Sequence, residues 1–297
     1  SPSIVSTSKP ILTQYHSNKI IDYYETNQQL TSVIRKQSTE STQESTQFIQ
    51  TLIPQLSNHS FLTPFHPFLT SIIRLLLPNG YPSSVASSYS SYTKWSISAS
   101  IFGTTSGVLS MQCLLYAIGL GATTAIPTAA AINWVLKDGL GQIGGMVFAA
   151  RTTYFDTYPK FYRMLASILL DISVFIEILT PIFPALFLPL ASIANIGKNI
   201  SWLSASASKS IIHRSLSRSE NLADITAKAG SQTIGASLVG TALGISISYL
   251  IGTSSILTLG AFSVLSSIHL YSTYRSLTYV TFNTLNQQRF EQIMIQY

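Results

Sequence analysis

The sequence contains few charged residues, and this scarcity excludes most soluble folds. Of 297 residues, 17 are Lys or Arg and 11 are Asp or Glu, so 9% of the chain is charged, whereas a soluble globular domain carries about 25%. A water-soluble protein of this size needs more charge to cover its surface. The long aliphatic stretches are also too apolar for a disordered chain. The composition therefore predicts a multi-pass membrane protein.

The sequence also lacks the residue patterns that several other functional classes require. Its one cysteine, Cys113, excludes an internal disulfide and a cysteine-based metal cluster. The five histidines show no ligand spacing, so we expect no metal site. The net charge of +6 is spread along the chain, without the basic patch of a nucleic-acid-binding protein. We recognise no catalytic constellation and expect a protein that is not an enzyme.

Two long windows, residues 95–136 and 229–274, contain no Asp, Glu, Lys or Arg. A helix needs about 20 residues to cross the hydrocarbon core of a bilayer, so each window can hold two helices. Gly119, Gly121 and Pro127 divide the first window. In the second window a division at residues 252–255 gives candidate spans at 231–250 and 254–274.

A third window, residues 164–197, contains only two charges, Asp171 and Glu177. Three prolines at positions 181, 184 and 189 predict a kinked or broken helix there. With a further short apolar stretch at residues 143–150, these windows predict an all-α, multi-pass helical membrane protein. We expect about six membrane segments, because backbone groups in lipid must satisfy one another within helices.

Two glycine pairs lie four residues apart in the uncharged windows: Gly103 with Gly107, and Gly240 with Gly244. Small residues at this spacing allow two helices to approach closely. The alternative is chance in a chain rich in Gly and Ser.

Residues 1–74 differ from the remainder and are predicted to form a separate, surface-associated polar region, followed by a helical membrane domain at 75–297. The run at residues 37–47 is low-complexity and typical of a solvated linker. Residues 20–34 have a loosely helical spacing, and the apolar segment 61–77 is expected at the membrane surface. An excess of basic residues between Lys198 and Lys228 predicts that this connection faces the cytoplasm or an equivalent negative compartment.

Several strings resemble the root UVB sensitive (RUS) family, which is also described by vitamin B6 photoprotection and homeostasis. They are LLLPNGYPSSV at 75–85, WVLKDGLGQIGGMVFA at 134–149, LDISVFIEILTPIFPALFL at 170–188, NLADITAKAGSQ at 221–232 and YSTYRSLTYVTFNTLNQQR at 271–289. The chain departs from the polar pattern of the family at Gly145, Ser167, Leu170 and Ala229. The resemblance implies a role in vitamin B6 homeostasis or light-stress protection in a plastid, mitochondrial or endoplasmic reticulum membrane. It implies a process, not a reaction.

Asp171 and Glu177 are the acids most indicative of a function. A carboxylate inside a span costs about 2.5–3.5 kcal/mol on insertion scales, so it normally faces a bundle interior or an aqueous cavity. Their separation of six residues places them about 120° apart on a helix, which argues against an acid/base dyad. With Asn195 and Lys198 they are predicted to line a cavity for a small polar metabolite; structural bonding between helices is the alternative. For His269 we expect a bond between helices and not a proton relay.

The string Lys137-Asp138-Gly139 opens a glycine-rich segment that is predicted to be a tight turn between membrane helices. Residues 139–144 match G-x-G-x-x-G, but the preceding strand and the later acid of a dinucleotide site are missing. Lys137 and Asp138 are expected to form an ion pair at the membrane edge. The alternative is a Schiff base between Lys137 and pyridoxal phosphate or another B6 vitamer, although we expect no cofactor.

A second polar block follows at the start of the uncharged C-terminal window. Asp224 and Lys228 have the spacing of a helical ion pair, and Asn221 or Asp224 can cap the helix. The alternative for this block is a gating or substrate contact. Its members are Asn221, Asp224, Lys228, Ser231 and Gln232.

Two functional hypotheses remain open. In the first, the membrane domain binds or transports a small polar metabolite. In the second, the chain is a non-transporting scaffold that docks a partner protein through residues 1–94. The expected partners are the lipid bilayer, the metabolite, and a protein partner or a second copy of the chain; nucleic acid is not expected.

Overall fold

The structure is a computed structural model that describes residues 12–16, 19–26, 29–36, 75–119, 127–152, 155–282, 290 and 293–295. The low-complexity run at 37–47, residues 61–74 of the apolar segment, and Gly121 lie outside these ranges. The chain divides into two compact units. The first comprises Ser1–Arg74 with Asn79–Pro82, and the second comprises Leu75–Pro78 with Ser83–Tyr297.

The described part of the first unit is an antiparallel three-stranded sheet. Its strands are β1 (Leu12–His16), β2 (Lys19–Thr26) and β3 (Gln29–Lys36), in the order β1-β2-β3. In the register, Gln14 lies opposite Ile21, and Ile21 lies opposite Ile34. The helical spacing inferred for residues 20–34 was therefore wrong, because β-branched and aromatic residues in this stretch favour strands.

The described part of the second unit is helical, which confirms the all-α prediction for this unit. Proline begins α2 and α3, where its fixed φ and missing N–H are tolerated. The break predicted at the three prolines is also confirmed, with a 3₁₀ turn at Pro184–Leu186. The stretch 143–150 is part of α2 and not a separate segment. The helices are α1 (Tyr89–Ala117), α2 (Pro127–Arg151), α3 (Pro159–Leu179), α4 (Phe187–Leu216), α5 (Leu222–Ile251) and α6 (Ser255–Thr278).

Consecutive helices run in opposite directions. The Ser98 and Ser272 hydroxyls join the start of α1 to the end of α6. Gln232 near the start of α5 donates to the Tyr89 hydroxyl at the start of α1. Ser167 near the start of α3 bonds to Thr273 near the end of α6, and His213 near the end of α4 bonds to Thr226 near the start of α5. Successive glycines of α2 face successive residues of α4, so these two helices are parallel. The starts of α1, α3 and α5 therefore lie at the same end of the bundle as the ends of α2, α4 and α6.

Charge is distributed unequally between the two ends of the bundle. At one end, where α1, α3 and α5 finish, the sequence segments that follow them, 118–126, 180–186 and 252–254, contain no Asp, Glu, Lys or Arg, and Glu177 is the one charged residue in the described flanking turns; we call it the neutral end. The opposite end, which we call the basic end, has three acids, Asp156, Glu220 and Asp224, in its connections and flanking turns. Its basic residues are Lys94, Arg151, Lys160, Arg163, Lys209, Arg214, Arg218, Lys228 and Arg275.

Glycines allow α5 to pack directly against α1. A Cβ added at Gly240 would lie 2.5 Å from the Ile101 carbonyl oxygen, and one at Gly244 would lie 2.6 Å from the Val108 Cβ. The close approach predicted for this glycine pair is confirmed. Gly107, by contrast, has open space around a built Cβ.

Of the helices in the described ranges, α5 and α6 are long and apolar enough to cross a membrane. α5 contains the span predicted at 231–250, and α6 with its N-cap Ser254 contains the span predicted at 254–274. The same criterion does not support the other predicted segments, so about six spans are not shown.

Candidate functional site

The interior of the helical unit contains two separate acid–base pairs. Asp171 on α3 lies 2.8 Å from Nδ1 of His269 on α6, measured from Oδ1, and its Oδ2 accepts a 2.6 Å hydrogen bond from Ser266. Both Asp171 and His269 are buried. The bond expected to join His269 to another helix is thus present. The ring also packs beside Gly103 of α1, where a side chain would meet Nε2 at 3.4 Å.

Glu177 forms the second pair six residues further along α3. It is 1% exposed and accepts from Lys198 Nζ on α4 and from the Ser110 hydroxyl on α1. A carboxylate this deeply buried is tolerated because it has both a counter-ion and a hydrogen-bond donor. Asp171 and Glu177 therefore have different partners, as their angular separation on the helix indicated.

Of the four predicted cavity residues only Lys198 lines the cavity described below, and Asn195 belongs to neither acid–base pair. Its amide donates to the Lys137 carbonyl oxygen at 3.1 Å and to Asp138 Oδ1 at 3.0 Å. Lys137 and Asp138 form the expected ion pair, and the Lys137 ammonium also lies 4.5 Å from the Trp134 ring centroid. This cluster joins α4 to the middle of α2.

The tight turn predicted at Lys137-Asp138-Gly139 is wrong, because all three residues lie within α2. The later glycines of this segment serve helix packing, whereas Gly139 has open space around a built Cβ. A Cβ at Gly141 would lie 2.5 Å from Asn195 Nδ2, and one at Gly144 would lie 2.6 Å from the Ile196 side chain. The helical backbone also excludes the strand-to-helix turn of a dinucleotide site.

The second polar block lies along the first three turns of α5. Asn221 occupies the N-cap position but makes no side-chain capping bond; instead its Oδ1 accepts from the Ser217 hydroxyl at 2.8 Å. Ser231 donates to the Ala227 carbonyl oxygen. Gln232 donates to the Leu76 carbonyl oxygen at 2.6 Å and to Tyr89. The pairing of Asp224 with Lys228 stays a prediction.

A cavity of about 680 Å³ opens between five of the helices, α1 and α3–α6. Asp171 and Glu177 lie behind its wall, each bonded to a basic side chain that lines it. The basic lining residues are Arg163, Lys198, Lys209 and His269, and the hydroxyl-bearing ones are Ser96, Ser100, Thr104, Ser167, Ser201, Ser206, Thr233 and Ser237.

Sequence reasoning missed Arg163 and Lys209. Both belong to ordinary-looking basic flanks of apolar segments, and only the packing of α3 beside α4 brings them to one cavity. Lys209 Nζ lies 3.5 Å from the Thr233 hydroxyl. Burial, and then the positive charge of Arg163, lower the pKa of Lys209.

His213 lies one turn beyond Lys209 and was also missed. It is buried, with Nδ1 3.2 Å from the Thr226 hydroxyl. Burial, followed by the charge of Lys209, lowers its pKa to about 4. The imidazole is therefore neutral at physiological pH, and its Nε2 has no hydrogen-bond partner among the described residues.

Comparison with known proteins relates this helical unit to one family. The vitamin B6 photo-protection and homoeostasis domain matches residues 64–297. Root UVB sensitive 6 of Arabidopsis thaliana is 34% identical over 243 residues, which are 82% of this chain and 48% of the relative. RUS family member 1 of Dictyostelium discoideum is 35% identical over 226 residues, or 75% of this chain and 43% of the relative.

A third relative, root UVB sensitive 2, chloroplastic, of Arabidopsis thaliana, is 33% identical over 237 residues, covering 80% of this chain and 52% of the relative. The chain thus spans about half the length of the curated relatives it matches. No solved structure matches it. The extent of the domain match and the identity to several relatives show that the chain belongs to the root UVB sensitive family.

Proposed function

We propose that the chain is an integral membrane protein that binds a small polar metabolite in the 680 Å³ cavity and moves it across the bilayer, in the service of vitamin B6 homeostasis. The observation that supports this proposal most strongly is a cavity lined by basic and hydroxyl groups inside a helical bundle whose outer surface is apolar. A ligand site inside a helical bundle is commonly formed by side chains of facing helices.

The outer surface of α5 and α6 supports membrane insertion. In the most apolar 18-residue window of each helix, only 17% and 33% of the residues are buried in the protein, whereas the core helix of a soluble fold is mostly buried. Ile234, Leu238 and Leu250 are 66%, 70% and 80% exposed. Contiguous apolar surface of this kind needs lipid or a protein partner to cover it.

The inequality of charge between the two ends supports one orientation. Segments rich in Lys and Arg are retained on the cytoplasmic or equivalent side of a membrane. The basic end therefore faces that compartment, and the neutral end lies on the opposite side. This agrees with the orientation expected from the Lys198–Lys228 connection alone. One relative is named chloroplastic, which favours a plastid membrane among the intracellular membranes considered.

The direct test is uptake of B6 vitamers into liposomes that contain the purified chain. We expect uptake by the natural protein and at least a tenfold loss in Asp171→Asn, because an amide has only one acceptor oxygen and cannot hold both Ser266 and His269 as the carboxylate does beside the cavity. Asp156→Asn removes the same charge from an exposed connection and should leave uptake unchanged.

Absence of uptake for every vitamer, or equal uptake by Asp171→Asn and the natural protein, contradicts transport through this cavity. Absence of uptake together with a stoichiometric protein partner that is lost on deletion of residues 1–94 would favour the scaffold hypothesis.

A further inference from the structure

The charges that line the cavity do not balance. Of its four basic side chains, Lys198 is paired with Glu177 and His269 with Asp171. Arg163 and Lys209 have no carboxylate partner among the described residues. The cavity therefore contains two uncompensated cations, contributed by the facing helices α3 and α4.

The two cations line the same cavity, where both side chains are partly exposed. The positive charge of Arg163 adds to the effect of burial in lowering the pKa of Lys209. Two like charges at the edge of a low-dielectric bundle repel each other. An anion between them would turn this repulsion into attraction, so the arrangement favours a negatively charged occupant.

We propose that Arg163 and Lys209 form a binding site for the oxyanion of a phosphate or phosphate monoester at the basic end of the cavity. This inference rests on the proposed function, since it specifies the ligand class of the same cavity. The planar guanidinium can donate two parallel hydrogen bonds to such an anion, and the ammonium adds a point charge. Thr233, 3.5 Å from Lys209 Nζ, holds the ammonium at the wall.

The first test measures binding of radiolabelled inorganic phosphate to the purified full chain in a neutral detergent. Arg163→Gln and Lys209→Gln should each weaken binding at least tenfold. Arg214→Gln and Lys94→Gln are matched controls, because they remove the same charges from exposed positions at the basic end, outside the cavity lining. Equal binding by the two cavity variants and their controls would overturn the proposal.

A second test uses the natural sequence and does not depend on the folding of any variant. An amine-acylating reagent is applied with phosphate or with sodium chloride of equal ionic strength, and modification is quantified by peptide mass spectrometry. Phosphate should slow acylation of Lys209 several-fold and leave that of Lys94 unchanged. Equal rates at Lys209 with phosphate, chloride and lipid phosphate would refute the site.

Nanodiscs distinguish a soluble phosphate from a lipid headgroup. In phosphatidylcholine alone, added phosphate should protect Lys209. Protection only after phosphatidate is included supports the same oxyanion site with a lipid as its source.

The outcomes of the phosphate tests can be distinguished from those of the uptake assay. Phosphate protection without vitamer uptake rejects only the proposed transport, whereas uptake that persists in Arg163→Gln and Lys209→Gln, without phosphate protection, rejects only the oxyanion site.

Discussion

Replacement of Gly240 by Ala should separate α1 from α5 and destabilise the bundle. The new Cβ would lie 2.5 Å from the Ile101 carbonyl oxygen and 2.9 Å from the Thr104 Cβ. Neither atom is the end of a flexible side chain, so the helices themselves must shift. Overpacking of this kind costs about 1–3 kcal/mol.

The same shift stretches a hydrogen bond between the two helices. Thr105 donates to the Gly240 carbonyl oxygen at 3.0 Å, and loss of one such bond costs about 1 kcal/mol. The combined loss in the free energy of unfolding is therefore about 2–4 kcal/mol. Equilibrium unfolding in mixed micelles of sodium dodecyl sulfate and a neutral detergent measures it.

Gly235→Ala is the matched control, because a Cβ at Gly235 on the same helix meets no atom within 4 Å. Removal of a helical glycine there should stabilise the protein by about 0.5–1 kcal/mol. Equal unfolding free energies for the two alanine variants would refute the packing argument.

A glycine exchange tests the neighbouring contact. Gly244→Ala places a Cβ 2.6 Å from the Val108 Cβ, and Val108→Gly removes the opposing atoms. In the double variant the methyl group at position 244 occupies the space that the Val108 side chain leaves. Its loss in the free energy of unfolding should therefore be smaller than the sum of the losses in the two single variants. Strict additivity would show that these two positions are not in contact.

Two further predictions concern buried charge. Lys198→Met leaves Glu177 without its counter-ion and should lower the free energy of unfolding by about 3–5 kcal/mol. The double variant Glu177→Gln, Lys198→Met removes both charges and should lower it less. Thermal unfolding in detergent compares the two variants, and a larger loss in the double variant would contradict the pairing. His213 has a pKa of about 4 in the folded chain and 6.5 as its ordinary value, so it is neutral in both states above pH 6.5. As the pH falls from 6.5 to 4 the unfolded chain takes up a proton that the folded chain does not, and stability should fall by up to about 3 kcal/mol. His213→Gln should flatten this part of a stability-against-pH curve, and an unchanged slope would contradict the assignment.

The helices of the second unit could be predicted because long apolar windows without charge favour helices, although only α5 and α6 also meet the criterion for crossing a membrane. Proline and glycine then marked where those windows divide. The interior position of Asp171 and Glu177 followed in the same way, since a carboxylate in an apolar helix must face other polar groups.

The partners of those acids could not be predicted. Asp171 bonds to His269, 98 positions away in the chain. This pairing depends on the position of α6 along the axis of α3, which the periodicity of the sequence does not specify. Arg163 and Lys209 were missed for the same reason, because each is ordinary in its own segment.

The turn predicted at the glycines after Lys137 was wrong for a different reason. Gly is suited both to a turn and to close contact between helices, and sequence alone does not separate the two uses. Only the proximity of Asn195 and Ile196 to Gly141 and Gly144 shows that contact is the role here.

The uncharged connections at the neutral end bear on how the proposed membrane form would be assembled. A helical hairpin that enters a bilayer must carry its tip to the far side, and each ion in that tip adds to the barrier. Residues 118–126, 180–186 and 252–254 contain none. In the proposed membrane form, α5 and α6, the two helices long and apolar enough to cross a membrane, would insert as a hairpin from the side on which the chain is made, with their basic flanks left behind as an anchor.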